Sequence, residues 1–397
     1  MRYTSSMHRL LFHNAQVLTP LTAWPIGWVL TEGRRIRMMG QGIPPVFGAG
    51  YVSQAIDARG LTLAPGFIDV HVHGAVGHEV MDADPAGLRA MARFFAQHGV
   101  TAFLPTTWTA TGGAILNALR VVAECLGPTA DGATILGAHI EGPYLNVSKC
   151  GAQDPRLIRP ADPAEAQPIL DTGLVRLLAL APEIAGNGWL IDACVQRGIT
   201  VAAAHTAATY DDMVVAVARG LRQTTHTFNA MTPLGHREPG VVGAALALPD
   251  LTCELIADNI HVHPAAMRVL VQAKGVERVI LISDAIRGAG MPDGEYEIDT
   301  RVVHVRDGAV RLPDGTLAGS TLTLDQALRN VLAATGLALD QAWPMASLNA
   351  ARAIGVAATK GSLEIGKDAD LVLLGGDLSV RLTIAEGRVV YGAEGEP

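Results

Sequence analysis

Short apolar runs alternate with amphipathic segments through the middle of this 397-residue chain, and that alternation is what most restricts its fold. Eight runs read as strands: "GFIDVHVH", "TAFLPTT", "TILGAHIEG", "VRLLALAPE", "TVAAAHT", "TTHTF", "TCELIADNIH" and "RVILISDAI". Between them lie helix patterns such as "PAGLRAMARFFAQHG", "AILNALRVVAECLG", "NGWLIDACVQRG" and "HPAAMRVLVQAKG". Several of these end in Gly, which tolerates the left-handed backbone of a helix C-terminus. Repeated strand–helix units of this number predict an α/β chain with a TIM-like (β/α)8 barrel over residues 63–358.

The two ends of the chain follow a different period. "LLFHNAQVL", "GWVLTEGRRIRMMG" and "ADLVLLGGDLSVRLTIAEGRVVYG" (Ala369–Gly392) alternate apolar and polar residues, with Gly at the turns. They predict a small β-sandwich domain built from both termini, residues 1–62 and 359–397, with the barrel inserted between them. The length calls for such a division, since it exceeds one compact core of ordinary size. With 49% apolar and 17% charged residues, disorder is excluded. Net charge is −8, and the densest basic run, Gly33–Met39, suits the solvated edge of a hairpin. No nucleic-acid partner is expected. Nor is a membrane partner expected, for no apolar run would span a bilayer. Cys125, Cys150, Cys194 and Cys253 are scattered without a C-x-x-C pair, as reduced thiols of a cytoplasmic protein would be.

In such a barrel the chemistry gathers at the C-terminal ends of the strands. Those ends carry His71 and His73, Glu141, His205, His226, His261 and Asp284. Strand residues two apart point the same way, so His71 and His73 both face the barrel mouth and can share one cation. Glu141 precedes Gly-Pro at its strand end, where a carboxylate has no packing use. His205 and His226 follow small or β-branched residues and then break to a loop, and Asp284 ends an apolar strand, where an unpaired carboxylate would be costly to bury. Each alone could be a satisfied core group. Together they are the donor set of a divalent metal, one or two ions per chain, with zinc the first expectation and iron, manganese or cobalt as the others. His139 shares a strand face with Glu141 and could support it or simply pack.

These blocks resemble the N-acetylglucosamine-6-phosphate deacetylase family of the amidohydrolase superfamily along nearly the whole chain. "PGFIDVHVHG" is similar to the superfamily's first-strand motif. "HIEGPYLN" with "GAQ", "HTFNAMTPLGHREPGVVGAAL" and "ELIADNIHVHP" are closer to the deacetylases, and "LISDAI", "LAGSTLTLDQALRN" and "GSLEIGKDADLVLL" complete the series. The resemblance implies that Glu141, His205 and His226 hold a main metal, and that His71 and His73 hold a second one in two-metal members. It further implies Asp284 as the catalytic aspartate and His261 as the group at the substrate's acetyl carbonyl. Asn229, Ala230 and Arg237 would bind phosphate, and Ala152, Gln153 and the backbone of Leu317, Ala318 and Gly319 would meet the sugar. Tyr144, Thr227 and Gln153 stand where the family more often has phenylalanine, leucine and histidine; of these, Gln153 bears on which amino sugar is preferred.

The activity implied is hydrolysis of the acetamide of an amino-sugar phosphate, by water that the metal has activated, with Asp284 moving the proton. Arg237, in "GHREPG", would reach the site of a neighbouring subunit, which implies a homodimer; His236 and Lys149 are further phosphate candidates. The rival readings are an N-acetylgalactosamine 6-phosphate or other N-acyl deacylase on the same scaffold, and a non-catalytic scaffold that has lost its metal.

Overall fold

The computed structural model describes residues 8–299 and 301–393; residues 1–7 and 394–397, assigned above to the terminal β unit, lie outside the described residues. Eight parallel strands form the barrel: β1 (Phe67–Val72), β2 (Val100–Thr107), β3 (Ala138–Glu141), β4 (Val175–Leu180), β5 (Thr200–Ala203), β6 (Gln223–Thr224), β7 (Thr252–Ile256) and β8 (Val279–Ile282). Neighbours in sequence pair in parallel from β1 to β8. The ring closes through the bridge between Val72 and Ala285, with Asp284 N donating to His71 O at 3.0 Å and His73 N to Ala285 O at 2.8 Å. Every residue of β1, β2, β3 and β8 is buried, as in a parallel sheet covered by helices on one face and closed on itself at the other.

The covering helices begin where their side chains permit. Asp84 caps Pro85–Gln97, Thr111 caps Gly112–Glu124, and Thr209 with Asp212 forms a reciprocal capping box on Tyr210–Arg219. Gly220, at φ 114, ends the last of these in the left-handed region. One large apolar core joins the helices to the strands.

The terminal strands form a separate sheet. Its path runs from the C-terminal hairpin (Val380–Ala385, Arg388–Gly392) through Leu371–Leu374 and Thr62–Pro65 to Leu10–Leu18, Ala23–Glu32 and Arg35–Gln41. Phe12, Val17 and Val29 from one end of the chain share a core with Leu371, Leu373 and Ile384 from the other.

One element was not anticipated. After β8 the chain makes a four-stranded antiparallel sheet, Gly294–Ile298, Arg301–Arg306, Ala309–Arg311 and Leu317–Ser320. Its apolar residues Ile298, Val303, Val305 and Val310 pack with Trp108, Ala152 and Ile286, so it sits against the barrel mouth. Ser320 N donates to Asp284 O at 2.8 Å, which ties its last strand to the end of β8.

Candidate metal centre and active site

The strand ends converge on one point. His73 Nε2 lies 3.2 Å from His71 Nε2, 3.2 Å from Glu141 Oε2 and 3.4 Å from Asp284 Oδ1. Glu141 Oε1 lies 3.1 Å from His226 Nε2 and 3.4 Å from His205 Nε2, and those two nitrogens are 3.2 Å apart. Two three-donor groups result, His71–His73–Glu141 and Glu141–His205–His226, with Glu141 common to both. The backbone bends sharply to achieve this. His205, His226 and Asp284 hold φ of 43, 31 and 50, a left-handed conformation that non-glycine residues seldom adopt and that clusters at functional sites.

The hydrogen-bond pattern tests whether a cation fits. His205 Nδ1 donates to Lys149 O at 2.9 Å, so in the neutral ring Nε2 carries a bare lone pair. That lone pair faces another imidazole nitrogen and a carboxylate oxygen. His71 is arranged likewise, with Nδ1 3.1 Å from Glu254 Oε2 and Nε2 turned toward Glu141 and Asp284. Acceptors facing acceptors in a buried site call for a positive charge between them, and nitrogen and oxygen donors suit a borderline divalent metal.

The same crowding governs the titrations. Burial alone would lower the His71 and His73 rings, but the carboxylates of Glu141 and Asp284 outweigh it and raise both. Burial alone would raise Glu141 and Asp284, yet His71 and its neighbouring imidazoles hold both below the usual carboxylate range. His139, packed edge-on at 4.6 Å against His71, is pushed well down by burial and by that ring. Asp69, fully buried at the centre of β1, is pushed up to about 7 by burial.

A cavity of about 330 Å³ opens over the donors. His73, Glu141, His205, His226 and Asp284 form its polar floor, while His71 lies beneath. Of the other residues singled out in the sequence, Ala152, Gln153, Asn229, Ala230, His261, Leu317 and Gly319 line it, and so does Lys149. Ala318 does not; it is buried in the apolar cluster that includes Ile286 and Trp108. Arg237 and His236 are exposed and outside the lining. Gln153 is spoken for at both ends: Nε2 donates to Glu141 Oε2 at 2.8 Å, and Oε1 accepts from Thr109 N at 2.8 Å. It steadies, from within the cavity wall, the carboxylate common to both donor groups.

Three contributors escaped the sequence reading. Trp108 lines the cavity and stacks on His73, with centroids 3.9 Å apart and planes 18° apart. Asp258 holds His261, its Oδ2 accepting from Nδ1 at 2.6 Å. Glu254 supports His71 from below. Glu254 and Asp258 stand in "ELIADNIH", where a carboxylate within an apolar run is a detectable signal; Trp108, directly after an apolar strand, carries none.

Residues 62–390 match the amidohydrolase family. An N-acetylglucosamine-6-phosphate deacetylase of Vibrio furnissii is 41% identical over 347 residues, covering 87% of each chain. An N-acetylgalactosamine-6-phosphate deacetylase of Escherichia coli O157:H7 is also 41% identical, over 329 residues, covering 82% of this chain and 87% of that one. The crystal structure of N-acetylglucosamine-6-phosphate deacetylase from Pasteurella multocida superposes with a TM-score of 0.90 at 30% identity, covering 96% of this chain and 99% of the other. A barrel with this donor cluster at its mouth, matched at this coverage, belongs to the amidohydrolase family, on the branch that holds the amino-sugar-phosphate deacetylases.

Proposed function

We propose that the chain hydrolyses the acetamide of N-acetyl-D-glucosamine 6-phosphate to D-glucosamine 6-phosphate and acetate. The observation that carries this reading is the convergence of Glu141, His205 and His226 on one point in the floor of a cavity that Asp284 and His261 also line. The Vibrio and Pasteurella relatives carry the name of that activity.

Glu141, His205 and His226 would hold one divalent ion, zinc first among the candidates, and His71 and His73 with Glu141 a second. Such an ion, when bound, polarises the acetyl carbonyl and makes water acidic enough to attack near neutral pH. Asp284 is placed to take the attacking water's proton on its carboxylate and return it to the departing amine. His261 donates its Nδ1–H to Asp258, which leaves Nε2 for the acetyl oxygen. In the doubly protonated ring, whose charge Asp258 balances, Nε2 donates to the oxygen as negative charge develops there.

Asn229 and Ala230, which line the cavity, are offered to the phosphate, and Lys149 is the lysine of the lining. Arg237 is exposed, pairs with no carboxylate among the described residues, and lies outside its own subunit's cavity. These facts support its service to a neighbouring site in a homodimer.

Acetate release from phosphorylated and free N-acetylglucosamine tests the substrate. The phosphorylated sugar should be strongly preferred, and equal turnover of the two would rule the assignment out. The Escherichia coli relative, equal in identity, makes N-acetylgalactosamine 6-phosphate the competing epimer to run beside it.

A further inference from the structure

Glu254 lies inside the barrel beneath the donors, at 0% exposure, and forms no part of the cavity lining. Its Oε2 is 3.1 Å from His71 Nδ1 and 3.3 Å from the backbone N of His226. Its Oε1 accepts from Gln223 Nε2. One carboxylate thus touches a member of each donor group. No lysine or arginine pairs with it among the described residues; its only charged-type partner there is His71.

The four ligand imidazoles differ in how they are anchored. His205 is fixed by a backbone carbonyl, which no substitution removes. Nδ1 of both His73 and His226 has no partner in the described structure. His71 is therefore the one imidazole of its group with a polar anchor, and that anchor is a side chain. A carboxylate accepts hydrogen bonds and does not donate them, so Glu254 draws the ring proton to Nδ1 and leaves Nε2 bare toward Glu141, Asp284 and His73.

We infer that Glu254 is a positioning residue that holds His71 in its ligand-ready tautomer and thereby sets how tightly the second divalent ion is kept. This rests on the two-ion part of the reading above. Partners of this kind behind a metal-bound histidine are worth roughly 10–100-fold in metal affinity.

The test is zinc stoichiometry and affinity by competition with a chromophoric chelator, on the full chain and on E254Q, E254D and His71→Ala. Wild type should hold two equivalents. E254Q should hold the first unchanged and the second roughly 10–100-fold more weakly. Adding E254Q to His71→Ala should weaken zinc binding no further, because the two act through one contact. E254D, which keeps the carboxylate, should fall between wild type and E254Q, and it serves where E254Q does not fold. Three results overturn the inference: wild-type affinity for the second ion in E254Q, equal weakening of both ions, or a reversed order of E254D and E254Q. Wild type that turns over substrate with one ion per chain also overturns it, while leaving the hydrolase reading intact. Two bound ions without turnover would do the opposite.

Discussion

Glu141 and Asp284 share imidazole neighbours yet are placed for different work. Glu141 is 1% exposed and engaged on both oxygens, by His205 and His226 on one side and by Gln153 and His73 on the other. Asp284 reaches the cavity wall from the end of β8 and meets His71 and His73 through a single oxygen. Replacing Asp284 with Asn should therefore leave the main metal in place while turnover falls roughly 10²–10⁴-fold, the usual worth of a positioned proton carrier. Metal content beside kcat checks both halves, and an active D284N protein would remove the proton-transfer role. His71→Ala and His73→Ala should lose one ion and keep partial activity. That these donors converge was legible because a polar side chain ending an apolar strand has few other uses. Glu254 shows the limit: its place within an apolar run marks it as unusual, but that it meets His71 follows only from how β1 and β7 flank β8 in the closed ring.

Among the elements, the eight strands announced themselves through their apolar runs, and the helices through period and caps. The inserted sheet did not. Its strands are short, but Tyr296 and Ile298 alternate with Glu residues, Val303 and Val305 alternate in burial with exposed neighbours, and the Asp307–Gly308 turn, with both residues left-handed, signals a hairpin in retrospect. The helix Leu324–Thr335 returns from this insert to the barrel and is pinned by Asp325. That carboxylate meets His98 Nδ1 at 3.1 Å and Arg329 Nη2 at 2.8 Å. Burial would raise it, but the His98 contact prevails and lowers it from 3.8 to about 2. A depressed carboxylate stabilises the fold above its unfolded value and ceases to do so as pH falls through its folded value. D325N should thus be less stable than wild type at pH 6, by on the order of 2 kcal/mol. The gap should close as the pH approaches 2. Urea unfolding of both proteins across that range measures it, and a gap independent of pH would assign the loss to packing instead.

Across the whole molecule, Lys360 sits at the centre of an ion cluster that ties the two ends of the chain together. Its ammonium is buried among Asp370 at 2.9 Å, Asp368 at 3.1 Å and Glu386 at 3.1 Å, with Arg34 and Arg35 closing the cluster from the N-terminal hairpin. Lys360→Met would strand buried carboxylates, which typically costs about 3–5 kcal/mol. Urea unfolding should show that loss, and a change under about 0.5 kcal/mol would mean the two arginines suffice. The proposed dimer has its own test. Arg237→Ala and Asp284→Asn proteins should each be nearly inactive, but mixed subunits concentrate both defects in one site and leave the other whole. Random mixing should restore about a quarter of wild-type activity. No recovery would place Arg237 in its own subunit's service.

The bonds that close the barrel ring, Asp284 N to His71 O and His73 N to Ala285 O, lie at the very residues that gather the donors. During synthesis His71 and His73 leave the ribosome long before Asp284 does. Both three-donor groups are complete in the nascent chain before Asp284 is made, but the ring bonds that fix the ends of β1 form only when the last strand arrives. Ring closure is thus a late event, and a chain cut short before β8 can neither shut its barrel nor hold the end of β1 in register with its neighbours.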